Sequence, residues 1–297
     1  MQQFIAVKVL DRKWAEKLLD GEVFMRPLSE FGTWDKSSEI QDKSRRDIME
    51  GAVATYKDTK LVQELKGIDP RFEKLIYNVT MIDETDLQYF KIFCMYCLEK
   101  ESDSNRLIPP DTRIRGFGNT AVVIRDLDEF LIRWGKAVIK KYKQSIELID
   151  RIHYFNLEEN RKLNPMFEKV SSYAYQKELR LAVAELEFDE FAIGPTNGKD
   201  YRIVLDKNRV ILNIGSIRDI AYAIQTSSLI DTTGIFGQFR NVTNNPPLKP
   251  TVFDDLVGST RARMKEYRPI AVRQIITIAG EGNIKEAAKF KAGTEQQ

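Results

Sequence analysis

One histidine, His153, and two cysteines, Cys94 and Cys97, are all that 297 residues offer of the commonest transition-metal ligands. That scarcity removes most histidine-based metal centres and any catalytic triad that needs an imidazole base. Two cysteines also fall short of the disulfide framework common in secreted chains. No run of about 18 apolar residues occurs, so no transmembrane helix is expected. The opening Met1-Gln2-Gln3-Phe4-Ile5-Ala6-Val7-Lys8 has neither a basic start nor a long apolar core, so no signal peptide is expected and the cytoplasm is the expected compartment. Excess charge is missing as well. Lys and Arg total 46 against 44 Asp and Glu, a net charge of +2, which argues against a dedicated nucleic-acid binder. The phosphate-binding pattern GxxxxGK[ST] does not occur. Gly116-Phe117-Gly118-Asn119 precedes a predicted strand, whereas a dinucleotide loop must follow a strand and open a helix.

What is present is globular in character: 42% hydrophobic and 30% charged residues, enough for one large domain or two modest ones. The chain opens strand, helix, strand: alternation over Phe4–Leu10, a helix Arg12–Leu19 begun at Asp11 and ended by Gly21, and a strand from Val23 to Leu28. Residues 32–50 read as a polar loop with a helical turn near Ser44–Met49. Val53–Tyr56, Phe72–Ile82, Leu87–Leu98 and Thr120–Ile124 read as strands. Asp126 and Glu129 have capping-box spacing ahead of a helix whose buried face is Leu127, Phe130, Leu131, Trp134 and Val138. Ile146–Phe155 and Tyr173–Glu185 read as strands, and 158–167 as a helical stretch broken by Pro165. A hairpin is expected between Tyr201–Leu205 and Val210–Ile214, then a helix Ile217–Ile224 capped by Ser216. Beyond a Gly-, Asn- and Pro-rich stretch follow an amphipathic helix through Phe253, Leu256, Val257 and Met264, a β-rich run Ile270–Ile278 and a polar helical tail. The expected fold is α+β, with a mixed, largely antiparallel sheet packed by helices and a smaller C-terminal α+β segment. Residues 1–229 form the main domain, 230–250 the linker and 251–297 a helix-strand-helix segment.

Few constellations carry chemistry. Cys94-Met95-Tyr96-Cys97 has CxxC spacing, but in a strand its thiols face opposite ways, so both read as core cysteines. His153 reads as an ordinary strand histidine. Arg46 and Glu50 fall at i,i+4 if helical, a solvated charged face. Tyr173-Ala174-Tyr175-Gln176-Lys177-Glu178-Leu179-Arg180 is the most informative segment. On a strand, Gln176, Glu178 and Arg180 share one face. That fits a polar groove, or an edge strand with a wet, cross-paired outer face. Arg261, Arg263, Lys265, Arg268 and Arg273, with Tyr267 among them, offer phosphate contacts or a solvated helix face.

Several segments resemble uncharacterised proteins carried by bacterial phages and prophages: Gly21-Glu22-Val23-Phe24-Met25-Arg26-Pro27-Leu28, Arg46-Asp47 with Glu50-Gly51, Phe93-Cys94-Met95-Tyr96, Gly116-Phe117-Gly118-Asn119 and Tyr175-Gln176-Lys177-Glu178-Leu179-Arg180. The resemblance reaches to about residue 220. It implies an accessory protein that binds and inhibits a host protein, such as an anti-phage defence component, in the host cytoplasm, with no cofactor and with Arg26, Arg46 and Arg180 available to a partner. Homo-oligomerisation fits the same reading; nucleic acid and membrane do not.

Gln176-Lys177-Glu178 is also similar to the Q-x-E motif of bacterial ADP-ribosyltransferases. That resemblance implies NAD as cofactor, Glu178 as the catalytic carboxylate, Gln176 orienting the acceptor, and Ser29 and Lys8 on the cofactor. The chain departs from that family in having Leu28-Ser29-Glu30 in place of Ser-Thr-Ser, and Lys8 where the family uses Arg or His.

Overall fold

A computed structural model describes residues 4–31, 50, 52–57, 76–83, 86–99, 107–156, 161–188, 201–231, 252–266, 272–280 and 283–290. In chain order the elements are β1 (Phe4–Leu10), α1 (Arg12–Leu19), β2 (Glu22–Pro27), β3 (Ala52–Lys57), β4 (Ile76–Asp83), β5 (Lys91–Glu99), β6 (Thr120–Ile124), α2 (Leu127–Lys141), β7 (Ser145–Arg151), β8 (His153–Phe155), β9 (Arg161–Lys162), β10 (Glu168–Val170), β11 (Glu178–Phe188), β12 (Tyr201–Ile203), β13 (Val210–Asn213), β14 (Ala221–Gln225), α3 (Thr226–Ile230), α4 (Val252–Glu266), β15 (Val272–Gly280) and β16 (Asn283–Phe290). The architecture is α+β. A nine-stranded antiparallel sheet carries β7, β11, β5, β1, β6 and β14 side by side. β2 pairs with β5 next to β1, β13 lies beyond β2, and β12 pairs with the end of β11. A second sheet runs β16-β15-β4-β3-β9, and β8 and β10 form a parallel pair.

Strand alternation divides the core. Phe93, Met95 and Cys97 of β5 face one side with Leu179, Leu181 and Val183 of β11, where α1, α2 and α4 cover them. Tyr96 and Leu98 join Val7 and Val9 on the other side, and Ile92 packs there with Phe90, Phe167 and Ala182. α1 buries Ala15, Leu18 and Leu19 at helical spacing and stops because Gly21 takes φ +100°, where a Cβ would come within 2.2 Å of the Gly215 carbonyl oxygen. α2 starts where Asp126 accepts a hydrogen bond from the Glu129 N–H at 3.0 Å. Its Phe130, Leu131, Trp134 and Val138 are buried as the spacing predicts.

Seven expectations are corrected. The strand expected over Leu87–Leu98 begins only at Lys91, because Asp86–Tyr89 is a 3-10 turn. The strand expected over Ile146–Phe155 breaks at Ile152 into β7, which pairs with β11, and β8, which pairs with β10. The strand expected from Tyr173 begins only at Glu178, because Ser171–Gln176 is a 3-10 turn closed by Lys177 at φ 37°. The expected 201–214 hairpin does not form, since β12 pairs with β11 and β13 with β2. The helix expected at Ile217–Ile224 is instead a turn followed by β14, which gains a full ladder on β6. The described part of 158–167 holds β9 and a turn at Pro165 rather than a helix. The polar tail is β16, paired with β15. The helical turn expected at Ser44–Met49 and the linker core at 232–251 lie outside the described residues. Beyond that linker, α4 sits on β7 and α2, and β15 pairs with β4. No described helix is long and apolar enough to cross a membrane.

Candidate functional site

Four charged side chains meet inside the molecule at the start of β11. Glu178 and Arg180 alternate with Leu179, so they share the face opposite the helix-covered core. Lys169 comes from β10, and Glu50 stands two residues before β3. Their exposures are 5% for Glu50, 7% for Lys169, 6% for Glu178 and 1% for Arg180. The Glu178 carboxylate accepts from Lys169 Nζ at 2.8 Å on one oxygen and from Arg180 Nη2 at 3.1 Å on the other. Arg180 Nη1 donates to Glu50 at 2.7 Å and to the Met166 carbonyl at 2.6 Å. Lys169 Nζ lies 3.3 Å from the second Glu50 oxygen. Tyr154 of β8 accepts the Glu178 backbone N–H at 3.0 Å, which locks the parallel β8–β10 pair to the entry of β11. Two acids and two bases close the cluster at zero net charge, the condition under which ions tolerate burial.

The electrostatics follow from that closure. Burial alone would raise the Glu178 carboxyl, but Lys169 and Arg180 outweigh it and hold the group well below the usual carboxylate range. Burial would lower Arg180, and Glu50 with Glu178 push it above its ordinary value instead. Cys94, the partner of Arg180 across the β5–β11 ladder, is pushed up to about 12 by burial and then by Glu178. Burial also carries Cys97, on the opposite face, to about 12. Both thiols are therefore inert protonated groups at neutral pH.

This wiring has a pH signature. A carboxylate whose folded pKa is depressed contributes stability above its unfolded value, ~4.3. That contribution disappears as pH falls through the folded value. Urea unfolding stability is expected to fall from about pH 5 downward, with a shallower fall in Glu178→Gln. An identical acid limb in the variant would show that Glu178 is not held as described.

The residues singled out in the sequence are placed as follows. Glu178 and Arg180 come together as the alternation implied, but in the interior rather than on a groove or wet edge. Gln176 belongs to the 3-10 turn and not to the strand face, although its Oε1 still lies 3.4 Å from Lys169 Nζ. Lys8 shares its strand face with Ala6, which belongs to the helix-covered core, and stands 4.5 Å over the Phe93 ring, on the other side of the sheet from Glu178. Ser29 lies in the 3-10 turn Leu28–Glu30. Arg26 stands over the Phe24 ring at 5.4 Å. Arg46 lies outside the described residues, while Glu50, read with it as a solvated charged face, is instead buried against Arg180. Among the C-terminal cations, Arg261 forms a two-pronged pair with Asp150 at 2.7 and 3.0 Å, and Arg263 donates to the Glu147 carbonyl at 3.3 Å, so both fasten α4 to β7. His153 is exposed, 4.0 Å from Asp150.

Lys169 and Glu50 were missed as cluster members. Lys169 stands between Glu168 and Val170 in a three-residue strand, too short for a period to be read. Glu50 is 128 residues before Glu178 in sequence, and nothing local joins them.

A shallow cavity of about 800 Å³ opens elsewhere, between the start of α1 and the turn before β6, with Arg12, Arg115, Gly118 and Thr226 among its lining. Gly118 is obligatory there: at φ +150° a Cβ would lie 2.1 Å from the Leu10 carbonyl carbon. Among the described residues no group of three or more His, Cys, Asp or Glu gathers to hold a metal ion. Comparison with known protein families, with curated proteins and with solved structures finds no match to this chain.

Proposed function

We propose that this chain is an accessory protein of the phage or mobile-element type that binds and inhibits a host protein, docking an acidic surface of that protein on the outer face of α2. The observation that carries this reading is the make-up of that face. Ile132, Lys136, Ile139 and Lys140 follow at i, i+4, i+7 and i+8, so they form one stripe. Ile132 is 36% and Ile139 73% exposed. Lys136 and Lys140, with Lys141 and Lys143 beside them, are exposed and make no ion pair among the described residues. Unneutralised lysines around exposed aliphatic side chains attract an acidic partner from a distance, and the isoleucines then give it apolar surface to cover. The buried ion cluster supports the same choice. Catalysis by Glu178 on NAD would need its carboxylate open to a ribose, and Lys169 and Arg180 occupy both of its oxygens.

The test is capture of partners by the tagged chain from a lysate of its bacterial host, alongside incubation with labelled NAD. A stoichiometric complex is expected that weakens as salt rises and is lost in Ile139→Asp combined with Lys140→Glu. Label transfer by the wild type that disappears in Glu178→Ala would overturn this reading in favour of an ADP-ribosyltransferase-like enzyme.

A further inference from the structure

We propose that the face built by α1, β2 and β13 is a self-association surface, occupied by a second copy of this chain. Trp14 of α1 is 44% exposed and stacks on Phe24 of β2, ring centroids 6.1 Å apart and planes inclined by 19°. Phe24 is the direct cross-strand partner of Ile211 on β13, and Ile211 is 52% exposed. One helix and two strands thus present a continuous apolar row. Large apolar side chains set side by side on a surface mark an interaction site, with tryptophan the commonest energetic anchor.

Two further observations point to a second copy as the occupant. The first is the strand edge. Among the described residues β13 pairs only with β2, leaving its other edge without a strand. Its sequence, Val210-Ile211-Leu212-Asn213, holds no charge and no proline, the residues that normally block edge pairing. A two-fold axis beside β13 sets it antiparallel to its own copy, and antiparallel neighbours complete each other's ladder.

The second is the sign of the rim. Lys13 and Lys17 stand over Trp14, each 5.4 Å from its ring centroid. Lys17 also pairs with Glu22 at 3.0 Å, Arg209 with Glu30 at 2.9 Å, and Arg218 with Glu16 at 2.8 Å and Asp20 at 3.0 Å. Both signs are interspersed around the apolar row. A strongly acidic or basic partner would meet repulsion along half of such a rim. A surface that meets its own copy across a two-fold needs both signs to face itself without like-charge conflict. The α2 stripe carries charge of one sign only, that of its lysines, so the two faces call for different occupants.

The test is sedimentation equilibrium of the full chain over a wide range of concentration, wild type beside Ile211→Asp, Trp14→Ala and the control Ile139→Asp. Circular dichroism and melting temperature check the fold of each, and the substituted side chains at 211 and 139 are solvent-exposed. A dimer is expected for the wild type and the control. A dissociation constant about a hundredfold higher is expected for Ile211→Asp and Trp14→Ala, the weight of a central interface residue. A monomeric wild type would leave the face to a different protein and overturn the proposal, as would a dimer that Ile211→Asp leaves intact. Neither outcome bears on host-protein capture through α2.

Discussion

Arg180→Ala is expected to cost about 3–5 kcal/mol of folding stability, the range for breaking a buried ion pair from one side. Arg180 is 1% exposed and donates to Glu178, Glu50 and the Met166 carbonyl. Its removal leaves two buried carboxylates facing one ammonium, together with an orphaned carbonyl. The penalty therefore comes from the uncompensated charge left behind more than from any attraction lost. A charge-balanced variant separates the two contributions. Glu178→Leu with Arg180→Met deletes one charge of each sign and leaves Lys169 beside Glu50 at 3.3 Å. It is expected to be clearly more stable than Arg180→Ala. Urea unfolding of the three proteins reads the difference. A loss under about 1 kcal/mol for Arg180→Ala, the scale of an exposed pair, would mean that the cluster is hydrated.

The second large effect is expected at Trp134. Its indole is 1% exposed and packs in the main core beneath α2. Truncation to alanine removes the largest buried side chain of that helix and leaves a cavity that the rigid sheet cannot fill by collapse, at a cost of about 3–5 kcal/mol. Because Trp134 seats the helix whose other side carries Ile132 and Ile139, partner capture should weaken in step with stability. Lys140→Glu, in contrast, should reduce capture and leave the unfolding midpoint nearly unchanged. Equal losses of capture and stability in both variants would remove the distinction between the inner and outer faces of α2.

Elements whose local pattern and tertiary role agree were legible in the sequence. Phe4–Leu10 is apolar at every position but Lys8 because one face meets helices and the other a second core. α1 and α2 carry their apolar residues at helical spacing and stop or start at Gly21 and Asp126. Two of the misreadings share a cause: long-range pairing decided them. Ile217–Ile224 has residues that suit a helix, yet Ala221–Gln225 completes a five-residue ladder on β6. Tyr201–Ile203 and Val210–Asn213 are neighbours in sequence but find better partners in β11 and β2. At the candidate site, the alternation of Glu178 and Arg180 was visible, while its setting was not. Whether a polar pair on a strand faces solvent or the interior depends on what covers it. Here the cover comes from Lys169 and Glu50, on segments with no periodic signal of their own. The left-handed Lys177 was equally hidden, since lysine gives no hint of a positive φ.

The order of the strands also has a consequence for synthesis on the ribosome. β5 is buried along nearly its whole length, and β1 and β2, made earlier, can cover only one of its edges. Its other partner, β11, emerges roughly 80 residues later, which at ~5–20 residues per second leaves Ile-Phe-Cys-Met-Tyr-Cys-Leu with an open edge for roughly 4–16 s in every nascent chain. Over that interval the growing polypeptide is a natural client for a chaperone, and translation rate between β5 and β11 becomes a determinant of how much of the protein reaches its native state.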